Sequence, residues 1–348
     1  MRTLIIGDQF IPAASYQDAL AERSSEELEL STVDWSGTKA EQHHIQQVME
    51  QHGPNAVTTP AELLDAVGDT EALGLHFAPV GKELIAAAPN LKVIAVARSG
   101  LENVDIDAAT AAGVGVVASH GRNAGAVAEL QLGLILAEAR NIARADASVK
   151  AGEWRKDFPG NRIELARRTV GMVGFGHVGA TFARRVSGFE ATLVVYDPYV
   201  SDEVLAQHGA QRAHTLNEVF AGSDFVLVQA RLTPQTERFI TAEQFALMPP
   251  HAYFINVSRS RLVDYDALYE ALAAGRISGA GLDVFDEEPL TADSRWRHLD
   301  NVTITTHFGG DTEDTNRVSA ALVTDALSEF ARSGKIARAA NARELGWT

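Results

Sequence analysis

The stretch "TVGMVGFGHVGATFARRV", residues 169 to 186, constrains the fold more than any other. An apolar run of strand character enters a G-x-G-x-x-G turn at Gly174, Gly176 and Gly179, and a helical pattern leaves it. The next strand-like run, "ATLVVYD", ends in Asp197, eighteen residues past Gly179. Each part of this strand–turn–helix–strand unit has a physical task. Gly174 permits the tight turn, Gly176 lets backbone approach a pyrophosphate, and Gly179 lets helix and strand pack closely. The amides of His177 and Val178 open the helix, where unpaired N–H groups and the partial positive charge of the helix end favour phosphate. Asp197 reads either as a turn residue before Pro198 or as an acceptor for adenosine ribose hydroxyls. A carboxylate there repels a 2′-phosphate, and "PYV" after it supplies no arginine, so the second reading favours NAD over NADP.

Strand-like and helix-like segments alternate through nearly all of the chain, the pattern of parallel α/β architecture. Before the glycine turn, "RTLIIGD", "LELSTVDW", "ALGLHFAPV", "LKVIAVARSG" and "GVGVVASHG" read as strands of a separate doubly wound unit. After it come "DFVLVQARLT", "AYFINVSRS", "ISGAGLDVF" and "NVTITTH". Between the two series, residues 123–154 read as one long helix with Val127, Leu130, Leu134, Ile135 and Ile142 on a broad apolar face. That face calls for burial between domains or subunits. Trp154 suits either an interface anchor or packing within its own domain. The tail "TNRVSAALVTDALSEFARSG" is helical in pattern and is expected to pack back on the N-terminal unit.

With 348 residues there is length for about two domains. The formal charge of −16 argues against a nucleic-acid partner, which needs a basic face, and zero cysteines exclude disulfide, thiolate–zinc and thiol chemistry. His43 and His44 are adjacent, do not share a helix face, and are expected to be solvated; no metal site is expected. The first apolar run is too short for a leader and reads as a strand, and no run is long enough to span a membrane. The cytoplasm is the expected location.

Three strands of the second series end in polar residues: Arg259 after "YFINVS", Asp283 in "GAGLDVF" with Glu288 five residues later, and His307 after "TITT". Singly, each has an ordinary role as a surface arginine, a turn carboxylate or a capping histidine. Ligands of open α/β sheets bind outside the carboxyl ends of the strands, where all of these fall. Together they offer a cation for a carboxylate, an acid/base group and a carboxylate to orient it.

The motifs "SGLENVDIDAA", "GRNAGAVAE", "GFGHVG", "INVSRSRLVD", "LDVFDEEP" and "THFGG", in this order, resemble those of the D-isomer-specific 2-hydroxyacid dehydrogenase family. The resemblance implies an α/β fold of two doubly wound parallel-sheet domains, with a Rossmann NAD domain (120–307) inserted into a discontinuous flavodoxin-like substrate domain (1–119 and 308–348). It implies hydride transfer between NAD(H) and a 2-keto acid or D-2-hydroxy acid. Arg259 would bind substrate, His307 would be the acid/base and Glu288 its partner. Asp283 would bind the nicotinamide carboxamide, and Ser99 and Gly100 would present amides to the substrate carboxylate. Val257, Ser258, Arg259 and His307 would also border the cofactor. Gly309 and Gly310 would let backbone and cofactor come close. The family's dimerisation through the long apolar helix implies a homodimer.

The chain departs from the family pattern at Ser260, where glycine is usual, at Thr306, where proline is usual, and at Gln229 and Arg231 within "QARLT". Two other activities occur on this scaffold: NAD-sensing corepressor binding, disfavoured by the acidic chain without a basic appendage, and phosphite oxidation. Formate oxidation is disfavoured by Glu288. Arg98, Arg155 and Arg231 are expected to be surface or salt-bridging residues. With 41 residues after His307, a C-terminal regulatory domain is not expected.

Overall fold

The computed structural model describes residues 1–22, 27–160 and 162–348. They form two compact units: Met1–Asn123 with Thr312–Thr348, and Ala124–Asp311.

In the first unit, β1 (Arg2–Gly7), β2 (Glu29–Asp34), β3 (Ala72–Leu75), β4 (Val93–Val96) and β5 (Gly115–Ala118) make a parallel sheet in the order β2-β1-β3-β4-β5. That is the flavodoxin-like order. The runs "ALGL" and "VIAV" are buried at every position, as parallel strands between two helical layers must be. β2 lies at the edge and is largely exposed or half-exposed. The helix Glu313–Ser333 returns to this unit, capped by Thr312, and packs Ala320, Val323, Leu327 and Phe330 with Ile5, Val93 and Val117.

A buried carboxylate–imidazole pair sits just past the ends of the neighbouring strands β1 and β3. Asp8, just past β1, and His76, just past β3, are 4% and 3% exposed, with His76 Nδ1 3.1 Å from Asp8 Oδ2. Asp8 also accepts from the amides of Phe10, Ile11 and Phe77. Burial works to raise the Asp8 carboxyl, but His76 and the amides outweigh it and hold it below the usual range. Burial pushes the His76 imidazole below its ordinary 6.5, against the pull of Asp8. Both shifts act on stability with the same sign. Below pH 6.5 the unfolded imidazole takes a proton that the folded one resists, and at lower pH the unfolded carboxyl does likewise. Stability should therefore fall with acidification, by at most about 1.4 kcal/mol per pH unit for one such proton, or roughly 2–4 °C of melting temperature. Thermal melts at pH 7 and 5.5 should show this fall for the wild type. They should show a flatter response for His76→Asn, which offers an N–H near the Nδ1 position but does not titrate. Equal responses would remove His76 from the account.

The second unit contains β6 (Thr169–Val173), β7 (Thr192–Tyr196), β8 (Ala210–Arg212), β9 (Phe225–Val228), β10 (Tyr253–Asn256), β11 (Gly279–Leu282) and β12 (Val302–Ile304). All pair in parallel, in the order β12-β11-β10-β9-β6-β7-β8. The order reverses at β6 and β9, which makes their carboxyl ends the switch point of a Rossmann sheet.

The segment expected as one long helix is two, Ala124–Arg140 and Ile142–Lys150, broken at Asn141 in the left-handed region (φ 55°). Asparagine tolerates that conformation better than most residues. The corner is held by Arg144, which bridges buried Glu138 at 2.9 Å and reaches the Asp300 carbonyl. Burial pushes the Glu138 carboxyl up, with Arg144 and Thr303 opposing it. The apolar face of the first helix is satisfied within its own unit: Val127, Leu134 and Ile135 are buried against Val170, Met172 and Ile255. Exposed apolar side chains come after the bend instead, at Ile142, Val149 and Trp154, the last 77% exposed. Trp154 is thus not packed within its own domain. Among the described residues, no helix is long and apolar enough to cross a membrane.

Candidate active site

The glycine turn stands at the switch point. Gly174 has φ +96°, and a Cβ there would lie 2.7 Å from the amide nitrogen of Ala230, which follows β9. Neither the left-handed backbone nor the close approach admits a side chain. Gly179 packs beneath: a Cβ would lie 3.1 Å from Phe175 and 3.4 Å from Met172 and Gln229. Gly176 is different, exposed and with nothing within 4 Å of a notional Cβ. It opens the helix His177–Val186, whose N-terminus has no side-chain cap. His177 is exposed and Val178 half-buried there. Uncapped amides above an open glycine suit an anion.

At the end of β7, Asp197 accepts from Phe175 N at 2.7 Å through Oδ2 and from Tyr199 N at 2.8 Å through Oδ1. These bonds fix the carboxylate beside the glycine turn and leave lone pairs for hydroxyl donors. One neighbour was not foreseen. Arg212, from the short strand β8, bonds the carbonyls of Asp197 and Val200 and pairs with Asp202. Three of its five N–H donors are committed to the loop. Gln229, just past β9, carries a buried Nε2 without a hydrogen-bond partner among the described residues, and lies against Gly179. An open glycine, uncapped amides, an oriented carboxylate and an orphaned amide donor fit a dinucleotide.

Arg259, Asp283, Glu288 and His307 follow β10, β11 and β12, all at the carboxyl edge. His307 is the most constrained: its φ is +56°, in the left-handed region. Strain of this kind persists where surrounding contacts over-determine it, and here they do. Asp283, 1% exposed, accepts from Thr305 Oγ1 at 2.6 Å, Phe308 N at 3.2 Å and Gly309 N at 2.9 Å. Three bonds to one carboxylate clamp the segment on both sides of His307. Gly309 is required by the same packing, since a Cβ would lie 2.6 Å from Val257 and 3.0 Å from Asp283. Its close approach is to the sheet. Gly310, half-buried, follows it.

Glu288 Oε2 lies 2.6 Å from His307 Nδ1, and its Oε1 accepts from Phe285 N at 2.7 Å. The side chains are 33% and 47% exposed. Glu288 therefore fixes the tautomer with hydrogen on Nδ1 and leaves Nε2 for chemistry. Arg259 is exposed on an extended turn, with Nη1 donating to Ser258 O at 2.8 Å. Val257 is buried, and Ser258 donates through N and Oγ to Asn256. Ser99 and Gly100 belong to the first unit, where Ser99 Oγ donates to Ser119 O at 3.3 Å. Arg98 pairs with Glu50 and Arg155 with Asp300. Among the described residues, no cluster of His, Asp and Glu could hold a metal ion.

A family model described as the NAD binding domain of D-isomer specific 2-hydroxyacid dehydrogenases matches residues 132–309. The chain is 39% identical over 290 residues to a D-3-phosphoglycerate dehydrogenase of Methanocaldococcus jannaschii, covering 82% of this chain and 55% of that one. It is 37% identical over 273 residues to a hydroxypyruvate reductase of Thermotoga maritima, covering 77% and 88%. The chain thus spans about half the length of the phosphoglycerate dehydrogenases it matches. Among solved structures, D-mandelate dehydrogenase of Rhodotorula graminis aligns at a TM-score of 0.70 and 26% identity, over 94% of each chain. An NAD-complexed D-isomer specific 2-hydroxyacid dehydrogenase of Lactobacillus delbrueckii shares the fold at a TM-score of 0.76 and 21% identity, over 97% and 99%.

Proposed function

We propose that this chain, which belongs to the D-isomer-specific 2-hydroxyacid dehydrogenase family, interconverts a 2-keto acid and a D-2-hydroxy acid with NAD(H). The observation that carries the reading is the Glu288–His307 pair, 2.6 Å apart, at the same sheet edge as the uncapped glycine turn. NADH, when bound, supplies the hydride that reduces the substrate carbonyl at C2. Arg259 forks onto the substrate carboxylate and carbonyl oxygen and polarises the carbonyl. His307 holds a proton on Nε2 and delivers it to that oxygen; in the reverse direction the neutral imidazole takes it back. Glu288 holds the ring through Nδ1–H and stabilises the imidazolium. Ser99 and Gly100 are assigned to the substrate carboxylate, as the family motif implies. Gly174, Gly176, His177, Val178, Gly179, Asp197, Val257, Ser258 and Gly310 are assigned to the cofactor.

NADH oxidation should be screened against glyoxylate, hydroxypyruvate, phenylpyruvate, pyruvate and 3-phosphohydroxypyruvate. Turnover of at least one is expected. Tight NADH binding without turnover of any would turn the reading toward a sensor.

Asp197 bears on cofactor choice. NADH should be used in preference to NADPH, because the carboxylate repels a 2′-phosphate and Arg212 is engaged elsewhere. Asp197→Ala should narrow the ratio of kcat/KM values roughly tenfold, the equivalent of about 1.4 kcal/mol. A wild-type preference for NADPH would contradict the assignment.

We assign the face bearing Ile142, Val149 and Trp154 to a homodimer contact, and the cytoplasm as the location. Sedimentation at micromolar concentration should give a dimer that Trp154→Glu weakens; a wild-type monomer would overturn this.

A further inference from the structure

Arg259 and the Glu288–His307 pair arrive from different strands, and their chemistry depends on a fixed separation. One buried side chain connects their supports. Tyr265 opens the helix Tyr265–Ala273 and is 3% exposed. Its hydroxyl donates to the Val284 carbonyl at 2.7 Å and accepts from Asn256 Nδ2 at 3.2 Å. The same Nδ2 donates to the Arg259 carbonyl at 3.1 Å. Asn256, fully buried at the end of β10, spends its Oδ1 on Ser258 N and Oγ. On the other side, Val284 lies between Asp283, which clamps the His307 segment, and Phe285, whose amide holds Glu288.

We propose that Tyr265 is a positioning residue whose hydroxyl ties the backbone of Arg259 to the strand exit that holds the Glu288–His307 pair. The path runs from the Arg259 carbonyl through Asn256 and Tyr265 to Val284. The Tyr265 hydrogen and both Asn256 Nδ2 hydrogens are committed along it. A purely apolar role for this ring would not need the oxygen: Phe285 and Trp296 meet it edge-on at 6.1 and 5.4 Å, contacts that phenylalanine would keep. Loss of the oxygen leaves the Val284 carbonyl and one Asn256 N–H without partners. The Arg259 carbonyl then loses its side-chain link to Val284, while the backbone bond from Asp283 N to the Asn256 carbonyl keeps the strands paired and the fold intact.

The proposal rests on the dehydrogenase reading, so wild-type turnover in the keto-acid screen comes first and separates failure of that reading from failure of this one. Tyr265→Phe should then lower kcat roughly tenfold, with NADH affinity unchanged. The primary isotope effect on kcat with 4-deuterated NADH should rise, because hydride transfer becomes slower; a merely structural role would lower thermal stability and leave the isotope effect alone. A double-mutant cycle supplies the second test. In an Arg259→Lys background the further loss from Tyr265→Phe should be under about twofold, since the hydroxyl acts through the arginine. A full tenfold loss in that background, or an unchanged kcat and isotope effect in the single variant, would overturn the proposal.

Discussion

His307→Gln should lose roughly 10²–10⁴-fold in turnover, in both directions, while NADH affinity changes by less than about threefold. Glutamine fills much of the imidazole volume and can still bond Glu288, but it carries no transferable proton at neutral pH. The loss must be bidirectional because the same nitrogen gives the proton in reduction and takes it in oxidation. The cofactor should remain, since the glycine turn and Asp197 lie after β6 and β7 and the histidine follows β12. Asp283 would still hold the loop through backbone amides on the C-terminal side of residue 307. Steady-state rates with keto acid and hydroxy acid, beside a fluorescence titration with NADH, check this. A variant with substantial activity would assign the acid/base role to another group.

Arg259→Lys should cost roughly 10²–10³-fold in kcat/KM for reduction. An ammonium keeps the charge but cannot reproduce two parallel N–H bonds to a planar acceptor pair. Among the described residues the guanidinium makes one hydrogen bond, to Ser258 O, which leaves its fork directed at no other protein group. Folding should be unaffected, because the side chain is exposed. A loss confined to KM, with kcat intact, would mean that the arginine binds substrate without polarising its carbonyl.

Most strands of both sheets were legible because parallel strands buried on two faces are written as short apolar runs, such as "FVLV" and "VIAV". Strand β8 was not, since "AQR" has one buried residue and no alternation to read. The bend at Asn141 escaped for a related reason. The apolar spacing continues across it, and the buried Glu138–Arg144 bridge that makes the corner is a three-dimensional pairing. At the site, the polar residues ending three strands could be listed from sequence, but not what each touches. Asp283 was assigned to the nicotinamide from the family motif, and in the fold its carboxylate accepts three bonds from residues 305–309. Asn256 had a local signal, an Asn two residues before Ser258 at the end of an apolar run, the spacing of an Asx-turn. Tyr265 had none, because its hydroxyl bonds a carbonyl nineteen residues away.

Hydride should reach C2 of the keto acid from one face only, while His307 delivers the proton to the carbonyl oxygen. Reducing the best substrate of the screen with NADH deuterated at both C4 positions, and examining the product, checks this. The product should be a 2-hydroxy acid of D configuration carrying deuterium at C2. An L product, or a product without deuterium, would contradict it.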